Sequence, residues 1–368
     1  MKLAIISRPF VYHGGVETAT AGLVGALVAH GHEVHLYSPP GQLPLPGVIG
    51  RRLPVVRAPS LARALWLPVA VARAVRAADY DVVQSHERTL SQDIYRAGEG
   101  CHRAYLATRG GPGASPYHRV ILALERRIFS RTPRIVAIAH RGRDEIERLY
   151  GVPLSRIRVV YNGVDLERFH PDNRARYRPG ALAEAGIPGE AWVVLFAGSG
   201  FERKGLRFLI EALGGRGAGS TWLVVVGKGD TRPYRALADH LGVASRIVWA
   251  GPRSDIERWY GAADAVAVPS LYEPFGNVHL EALASGVPVL ASTVAGGSEL
   301  IEDGKNGVLA QPGDPGLIAH ALDRLRSLPR SGLSLAARRS AEPFTYAAEL
   351  AGYERVYREI QAAKRDFR

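Results

Sequence analysis

Short runs rich in Val and Ile alternate with stretches of helical periodicity along this chain, and no other feature restricts its fold as much. The runs predict strands at 3–7, 33–38, 82–86, 135–139 and 158–161, then at 193–198, 222–227, 247–251, 265–269, 287–291 and 307–310. They lack internal polar alternation, as strands covered on both faces do. Helical patterns fill the gaps at 16–30, 61–78, 117–130, 141–150, 206–213, 234–241, 256–262, 277–284 and 317–328. Such alternation implies parallel sheets with helices on both faces. It pauses once, between 163 and 187, where the chain is polar and carries Pro171 and Pro179; this stretch reads as a linker. The expected fold class is α/β: two doubly wound parallel-sheet domains, 1–170 and 171–343, facing across a cleft. A terminal helix within 344–368 is a candidate to pack back on the first domain. Ligands of open α/β sheets bind beyond the carboxyl ends of the strands, so loops that follow strands are where chemistry is sought.

Length agrees with two domains, since 368 residues exceed one ordinary core. A composition 46% hydrophobic and 22% charged excludes a disordered chain, a collagen repeat and a coiled coil. No apolar run reaches the ~18 to 20 residues of a membrane span. The N-terminal apolar run ends at Arg8, too short for a signal peptide. Cys101 stands alone, so neither an intramolecular disulfide nor a cysteine zinc site is available. The expected compartment is the reducing cytoplasm. Charge says more. The net +12 is uneven: residues 1–170 hold 23 Lys/Arg against 13 Asp/Glu, and 171–368 hold 24 against 22, so +10 stands against +2. A one-sided basic half suggests a polyanionic partner, whether nucleic acid, an anionic lipid surface or a phosphorylated substrate. An arginine-rich coding bias is the plainer alternative.

Three loops after predicted strands carry the chemistry. The first contains His13-Gly14-Gly15 at a helix start, where glycine permits close approach and free amides face an anion. It is not a GxGxxG fingerprint, and a plain tight turn reads equally well. The second, Gly198-Ser199-Gly200-Phe201-Glu202-Arg203-Lys204-Gly205, sets two cations at a helix start, where cations are disfavoured unless an anion is to be met. The third, Glu273-Pro274-Phe275-Gly276-Asn277-Val278-His279-Leu280-Glu281, places one acid before a helix and one inside it. Carboxylates accept hydrogen bonds from sugar hydroxyls, and amides between them suit phosphate.

The pair Glu273 and Glu281 resembles the E-x7-E motif of retaining glycosyltransferases with the GT-B fold, the large family 4. Around it stand Ser285-Gly286-Val287-Pro288, Gly296-Gly297-Ser298-Glu299 and Glu302-Asp303-Gly304, with His13-Gly14-Gly15 and Arg203-Lys204-Gly205 upstream. The resemblance spans nearly the whole chain. Within the family it is similar to the lipopolysaccharide core glucosyltransferases that add glucose to heptose, through Ser199, Arg203-Lys204 and the stretch Asp93-Ile94-Tyr95-Arg96-Ala97-Gly98-Glu99-Gly100-Cys101.

That resemblance implies transfer of a hexose, glucose being expected, from a nucleoside diphosphate sugar, UDP being expected, to a hydroxyl of a glycan or glycolipid. The anomeric configuration is retained, and neither metal nor cofactor takes part. Gly14 and Gly15 would approach the donor diphosphate, and Arg203 and Lys204 would neutralise it. Glu281 would hold the ribose, and Glu273 would contact the hexose. Amides of Phe275, Gly276 and Asn277 would hold hexose or phosphate, and Arg253 would stand near the base. Glu99, where relatives carry Asp, would face the sugar or acceptor. His86 and His102 both match a histidine that relatives use, with a buried core role as the alternative for His86. Relatives place Arg where Ser199 stands, and Arg203 is taken to replace it. The first domain would take the acceptor, with an anionic membrane surface as a further partner. The stretch 57–76 reads equally as an interfacial helix and as an ordinary packed one. Nucleic acid is not expected, because aromatic and basic residues seldom interleave. The expected state is a monomer in the cytoplasm or on the inner membrane face. Three alternatives remain: a GT-B sugar-nucleotide epimerase, a basic binding module without catalysis, and a glycosidase. The last is disfavoured, since eight helical residues span about 12 Å against the ~5 to 9.5 Å between glycosidase carboxyls.

Overall fold

A computed structural model describes residues 1–10, 15–54, 59–76, 78–111, 115–215 and 220–366, the side chains of 15–19 excepted. The chain divides into two compact units. One holds the first strand with Val16–Gly163 and Tyr346–Arg368; the other holds Val164–Thr345.

The first unit is built on a parallel seven-stranded sheet. Its strands are β1 (Lys2–Ile6), β2 (Glu33–Ser38), β3 (Val48–Arg52), β4 (Val82–Ser85), β5 (Ile94–Arg96), β6 (Arg134–Ala137) and β7 (Ile157–Val159), in the order β3-β2-β1-β4-β5-β6-β7. The second carries a parallel six-stranded sheet of β8 (Trp192–Ala197), β9 (Thr221–Val226), β10 (Ile247–Gly251), β11 (Ala265–Val268), β12 (Val289–Ser292) and β13 (Gly307–Ala310), in the order β10-β9-β8-β11-β12-β13. In each sheet the order reverses beside the first strand, and the loops after β8 and β11 are thereby set side by side. Each unit is thus a doubly wound α/β domain of its own.

Burial follows the pattern in the sequence. The central strands are covered on both faces: Leu3, Ala4, Ile5 and Ile6 in one sheet and Val193 to Phe196 in the other are all at most 1% exposed. The C-terminal helix Tyr346–Asp366 sets Leu350, Tyr353, Val356, Tyr357 and Ile360 against Leu3, Ile5 and Val34 in the core of the first unit.

Several elements differ from expectation. β3 and β5 are strands the hydropathy pattern does not show. β3 is an edge strand with four of five residues exposed, and β5 is only three residues long. The polar stretch read as a linker contains the helix Asn173–Ala185, closed by Gly186 in the left-handed region. Two of its three arginines end on an acid, and Arg176 is exposed. Arg174 and Arg178 reach the buried Asp264 at 2.9 and 3.1 Å, Arg330 joins them, and Asp264 also accepts from the Val193 amide at 2.8 Å. An arginine that lies along a helix and ends on a buried carboxylate looks in sequence like one facing water. The helix Ser60–Arg76 buries Ala70, Val71 and Val75 while exposing Leu65 and Val69, and its Trp66 indole N–H donates to the Pro54 carbonyl at 3.2 Å. Among the described residues no helix is long and apolar enough to cross a membrane.

Candidate functional site

The chain leaves β8 through three glycines with positive φ: Gly198 (123°), Gly200 (77°) and Gly205 (76°). Two of them are required by close approaches. A Cβ on Gly198 would lie 2.7 Å from the Lys204 Cε, so the lysine stem crosses that glycine's backbone. A Cβ on Gly205 would lie 2.2 Å from the Pro269 carbonyl oxygen, where the loop after β11 passes. The Leu271 amide donates to the Arg203 carbonyl at 2.8 Å and locks the two loops together.

Residues nearly 70 apart in sequence therefore meet. The Lys204 Nζ donates to Glu273 Oε2 at 2.7 Å, and Arg203 Nη1 stands 3.0 Å from the same oxygen while donating to the Tyr272 carbonyl at 2.8 Å. Lys204 and Glu273 are buried, and Arg203 is partly exposed. Burial pushes the Glu273 carboxyl up, but Lys204 and Arg203 outweigh it and hold its pKa at about 2. Two cations and one carboxylate leave a net charge of +1.

Beyond Glu273 the backbone is stapled to a second loop. The Glu273 carbonyl accepts from Gly296 N–H at 2.8 Å, and the Phe275 carbonyl from Gly297 N–H at 2.7 Å. Gly276, at φ 84°, turns the chain into the helix Asn277–Ala284. Phe275 is buried, while Gly276 and Asn277 at the helix start are partly exposed. Beneath them lies His279, wholly buried. Its Nδ1–H donates to the Gly276 carbonyl at 2.8 Å, and Cβ atoms on Gly276 or Gly297 would come within 2.6 and 2.7 Å of that nitrogen. Burial holds the ring below the ordinary histidine pKa, hence neutral.

Glu281 follows in the same helix. Its Oε2 accepts from the Tyr260 hydroxyl at 2.7 Å, and burial raises its pKa against the pull of Tyr260 and Arg168. Arg253 is not part of this cluster. Its Nε and Nη2 grip Asp255, each at 2.8 Å, its Nη2 lies 3.5 Å from Glu184, and the guanidinium stacks on Trp259.

In the first unit Glu99 sits between two arginines. Its Oε1 accepts from Arg8, and its Oε2 from Arg88 Nη1 at 2.6 Å. Burial raises its pKa, and the two cations overcome that and lower it. Arg8 also holds Glu87 at 3.0 Å. His86 is a core residue: Gln84 bonds its Nε2 at 2.7 Å, Thr20 lies 3.3 Å from its Nδ1, and burial drives its pKa far down. His102 caps nothing itself. Its amide donates to Glu125 at 2.7 Å, its Nε2 lies 3.0 Å from His118, and burial with Arg88 lowers its pKa to about 4. His13 and Gly14 lie outside the described residues, and Gly15 opens the helix Gly15–Ala29. Among the described residues no three His, Cys, Asp or Glu side chains gather as a metal site.

The structure thus brings Arg203, Lys204 and Glu273 together, with Phe275, Gly276 and Asn277 next along the chain and Glu281 one helical turn on. Sequence reasoning missed Tyr260, Arg8, Arg88 and the clamping role of His279. Only His279 left a signal there, as a titratable residue inside the E-x7-E stretch.

Two family models match this chain: Glycosyltransferase Family 4 over residues 13–168 and Glycosyl transferases group 1 over residues 191–327. A D-inositol 3-phosphate glycosyltransferase of Xylanimonas cellulosilytica is 34% identical over 78% of this chain and 73% of its own length. An uncharacterised glycosyltransferase of Methanocaldococcus jannaschii is 28% identical over 89% of each chain. Among solved structures, WaaG, a glycosyltransferase involved in lipopolysaccharide biosynthesis, superposes with a TM-score of 0.84 at 25% identity, covering 97% of this chain and 99% of that one. With its two parallel doubly wound units and its paired acids beside a cationic loop, the chain belongs to the family 4 (group 1) glycosyltransferases of GT-B fold.

Proposed function

We propose that this glycosyltransferase moves a hexose, glucose first among candidates, from UDP-sugar to a hydroxyl of a glycan or glycolipid, retaining the anomeric configuration without a metal. The observation that carries the reading is the Lys204–Glu273–Arg203 cluster. It keeps a buried carboxylate ionised for sugar hydroxyls and leaves positive charge for a departing diphosphate. Glu281, oriented by Tyr260, is the ribose acceptor, and Phe275, Gly276 and Asn277 offer amides to the hexose or phosphate. By resemblance to the family, Gly14 and Gly15 are assigned to the diphosphate, Arg253 to the base and Glu99 to the sugar or acceptor. In the transfer, the acceptor oxygen bonds to the anomeric carbon on the face the donor leaves. The bond from that carbon to the diphosphate breaks, and a phosphate oxygen takes the acceptor proton.

The charge imbalance between the halves supports an anionic acceptor or an anionic membrane surface for the first unit. The likeness to WaaG favours a lipopolysaccharide core acceptor, and the named curated relative makes an inositol phosphate the acceptor to test beside it. The test is calorimetric titration with UDP, GDP and ADP in the presence of chelator. One nucleotide binds, and Glu281→Ala abolishes that binding. No binding of any nucleotide by folded protein refutes the donor site. Proton NMR of the first-formed product then reads the anomeric configuration.

A further inference from the structure

The polypeptide leaves the first unit after Gly163 and re-enters it at Tyr346. One buried side chain holds both points. Glu349 lies in the first turn of the C-terminal helix Tyr346–Asp366, and its Oε2 accepts from the Gly163 N–H at 2.8 Å. The turn has a second anchor. The Tyr346 ring lies on the helix Gly15–Ala29, in the space that a Cβ on Gly22 would take; that Cβ would stand 2.2 Å from the Tyr346 Cε1.

The carboxyl of Glu349 is only half bonded. The residue is 2% exposed, and its Oε1 is buried with no hydrogen-bond partner among the described residues. Arg96, the cation that acts on it, donates instead to Asn162 Oδ1 at 2.6 Å. A carboxylate taken out of water needs its lone pairs met, and one N–H does not meet them. The closed turn therefore suits the neutral acid, and burial raises this carboxyl against the pull of Arg96 and the Gly163 amide. The groups around it keep their charge. Burial holds Tyr353 and Tyr357 of the same helix neutral, and His86, on the far side of Arg96, neutral as well. His32 pairs with Glu354, further along the helix, at 3.2 Å. A helix end also opens more readily than a helix middle. We infer that residues 346–349 form a proton-operated latch. While Glu349 carries its proton the turn closes on Gly163 and on the helix Gly15–Ala29; when the proton passes to water, the turn opens and the carboxylate is hydrated. Acid conditions thus tie down both points where the chain crosses the boundary of the first unit, and neutral conditions slacken them.

Hydrogen exchange on the full chain, corrected for the intrinsic effect of pH, reads the latch. The amides to follow are those of Gly163 and of residues 350–353, which bond back to the first turn. Opening releases the proton, so protection falls by about tenfold per pH unit between the ordinary carboxyl value of 4.5 and the raised value of about 7, then levels off. From pH 5 to pH 8 the drop is roughly 50- to 100-fold. Glu349→Gln keeps an acceptor for Gly163 and has no proton to lose, so its protection stays level across that range. Gly22→Ala displaces the Tyr346 ring and lowers protection of the same amides at pH 5 by roughly tenfold or more; this arm decides the matter even where Glu349→Gln does not fold. Four results each overturn the latch: level protection in the unaltered protein, an undiminished slope in the Glu349→Gln protein, unchanged protection in the Gly22→Ala protein, or latch amides that exchange no faster than those of Ala4 and Ile5 in the central strand, which marks global unfolding. No nucleotide or sugar enters the experiment, so its outcome is independent of the proposed transfer reaction.

Discussion

Replacing Lys204 by methionine keeps the length of the buried stem and removes its charge. In the folded protein Glu273 has a pKa of about 2 against an ordinary 4.5, after its two cations have outweighed the cost of burial. A folded pKa below the unfolded one contributes stability above pH 4.5 and loses it as pH falls toward 2. The depression corresponds to roughly 3 kcal/mol at pH 7 and roughly 1.5 kcal/mol at pH 3. Breaking a buried ion pair typically costs about 3 to 5 kcal/mol, so the two routes agree. Arg203 remains 3.0 Å from the carboxylate and keeps the loss near the lower figure. In a unit of this size the change lowers the melting temperature by about 6 to 12 °C at pH 7. Thermal melts of both proteins from pH 8 to pH 3 follow the gap between them, and the gap should at least halve by pH 3. A gap of the same size at both ends of the range would show that stem packing, not charge, makes Lys204 matter. With a donor and acceptor in hand, kcat should also fall about 10² to 10³-fold, as it does when one preorganised donor to a developing charge is lost.

Other consequences follow from single contacts. Gly297→Ala puts a methyl 2.5 Å from the Phe275 carbonyl and 2.7 Å from His279 Nδ1. It should destabilise the second unit by about 2 to 3 kcal/mol, while Gly189→Ala, open on all sides, leaves urea unfolding unchanged. Tyr260→Phe removes the hydrogen bond that orients Glu281. Nucleotide binding should weaken roughly tenfold or more in calorimetry, as for a lost bond of about 1.5 to 3 kcal/mol to a charged group. Glu349 is buried and its pKa rises from 4.5 to about 7, because burial outweighs Arg96 and the Gly163 amide. A raised carboxyl favours the folded state while protonated. The first unit should therefore lose roughly 2 to 3 kcal/mol between pH 5 and pH 8. Glu349→Gln should flatten that slope in urea titrations; an unchanged slope would assign it to other groups.

Much was legible in the sequence because the relevant forces are local or periodic. Strands buried on both faces are largely apolar, so eleven of the thirteen strands among the described residues announce themselves. The two that do not are β3, whose residues face water at a sheet edge, and β5, too short for any pattern. The helix Asn173–Ala185 hid because Arg174 and Arg178 lead to Asp264 across the fold, and composition does not separate a buried ion pair from a solvated face. The candidate site divides the same way. The cationic loop and the E-x7-E stretch are contiguous runs, visible wherever the fold places them.

The tertiary structure decided which of those residues meet. Strand order sets the loops after β8 and β11 side by side, and only then do Lys204 and Arg203 fall on Glu273. The same packing makes His86 a buried core residue and turns His279 into the clamp between Gly276 and Gly297. The physical reason is one of range. Hydropathy period and glycine placement depend on near neighbours, whereas a pKa or an ion pair depends on what the chain brings from far away, which no local pattern encodes.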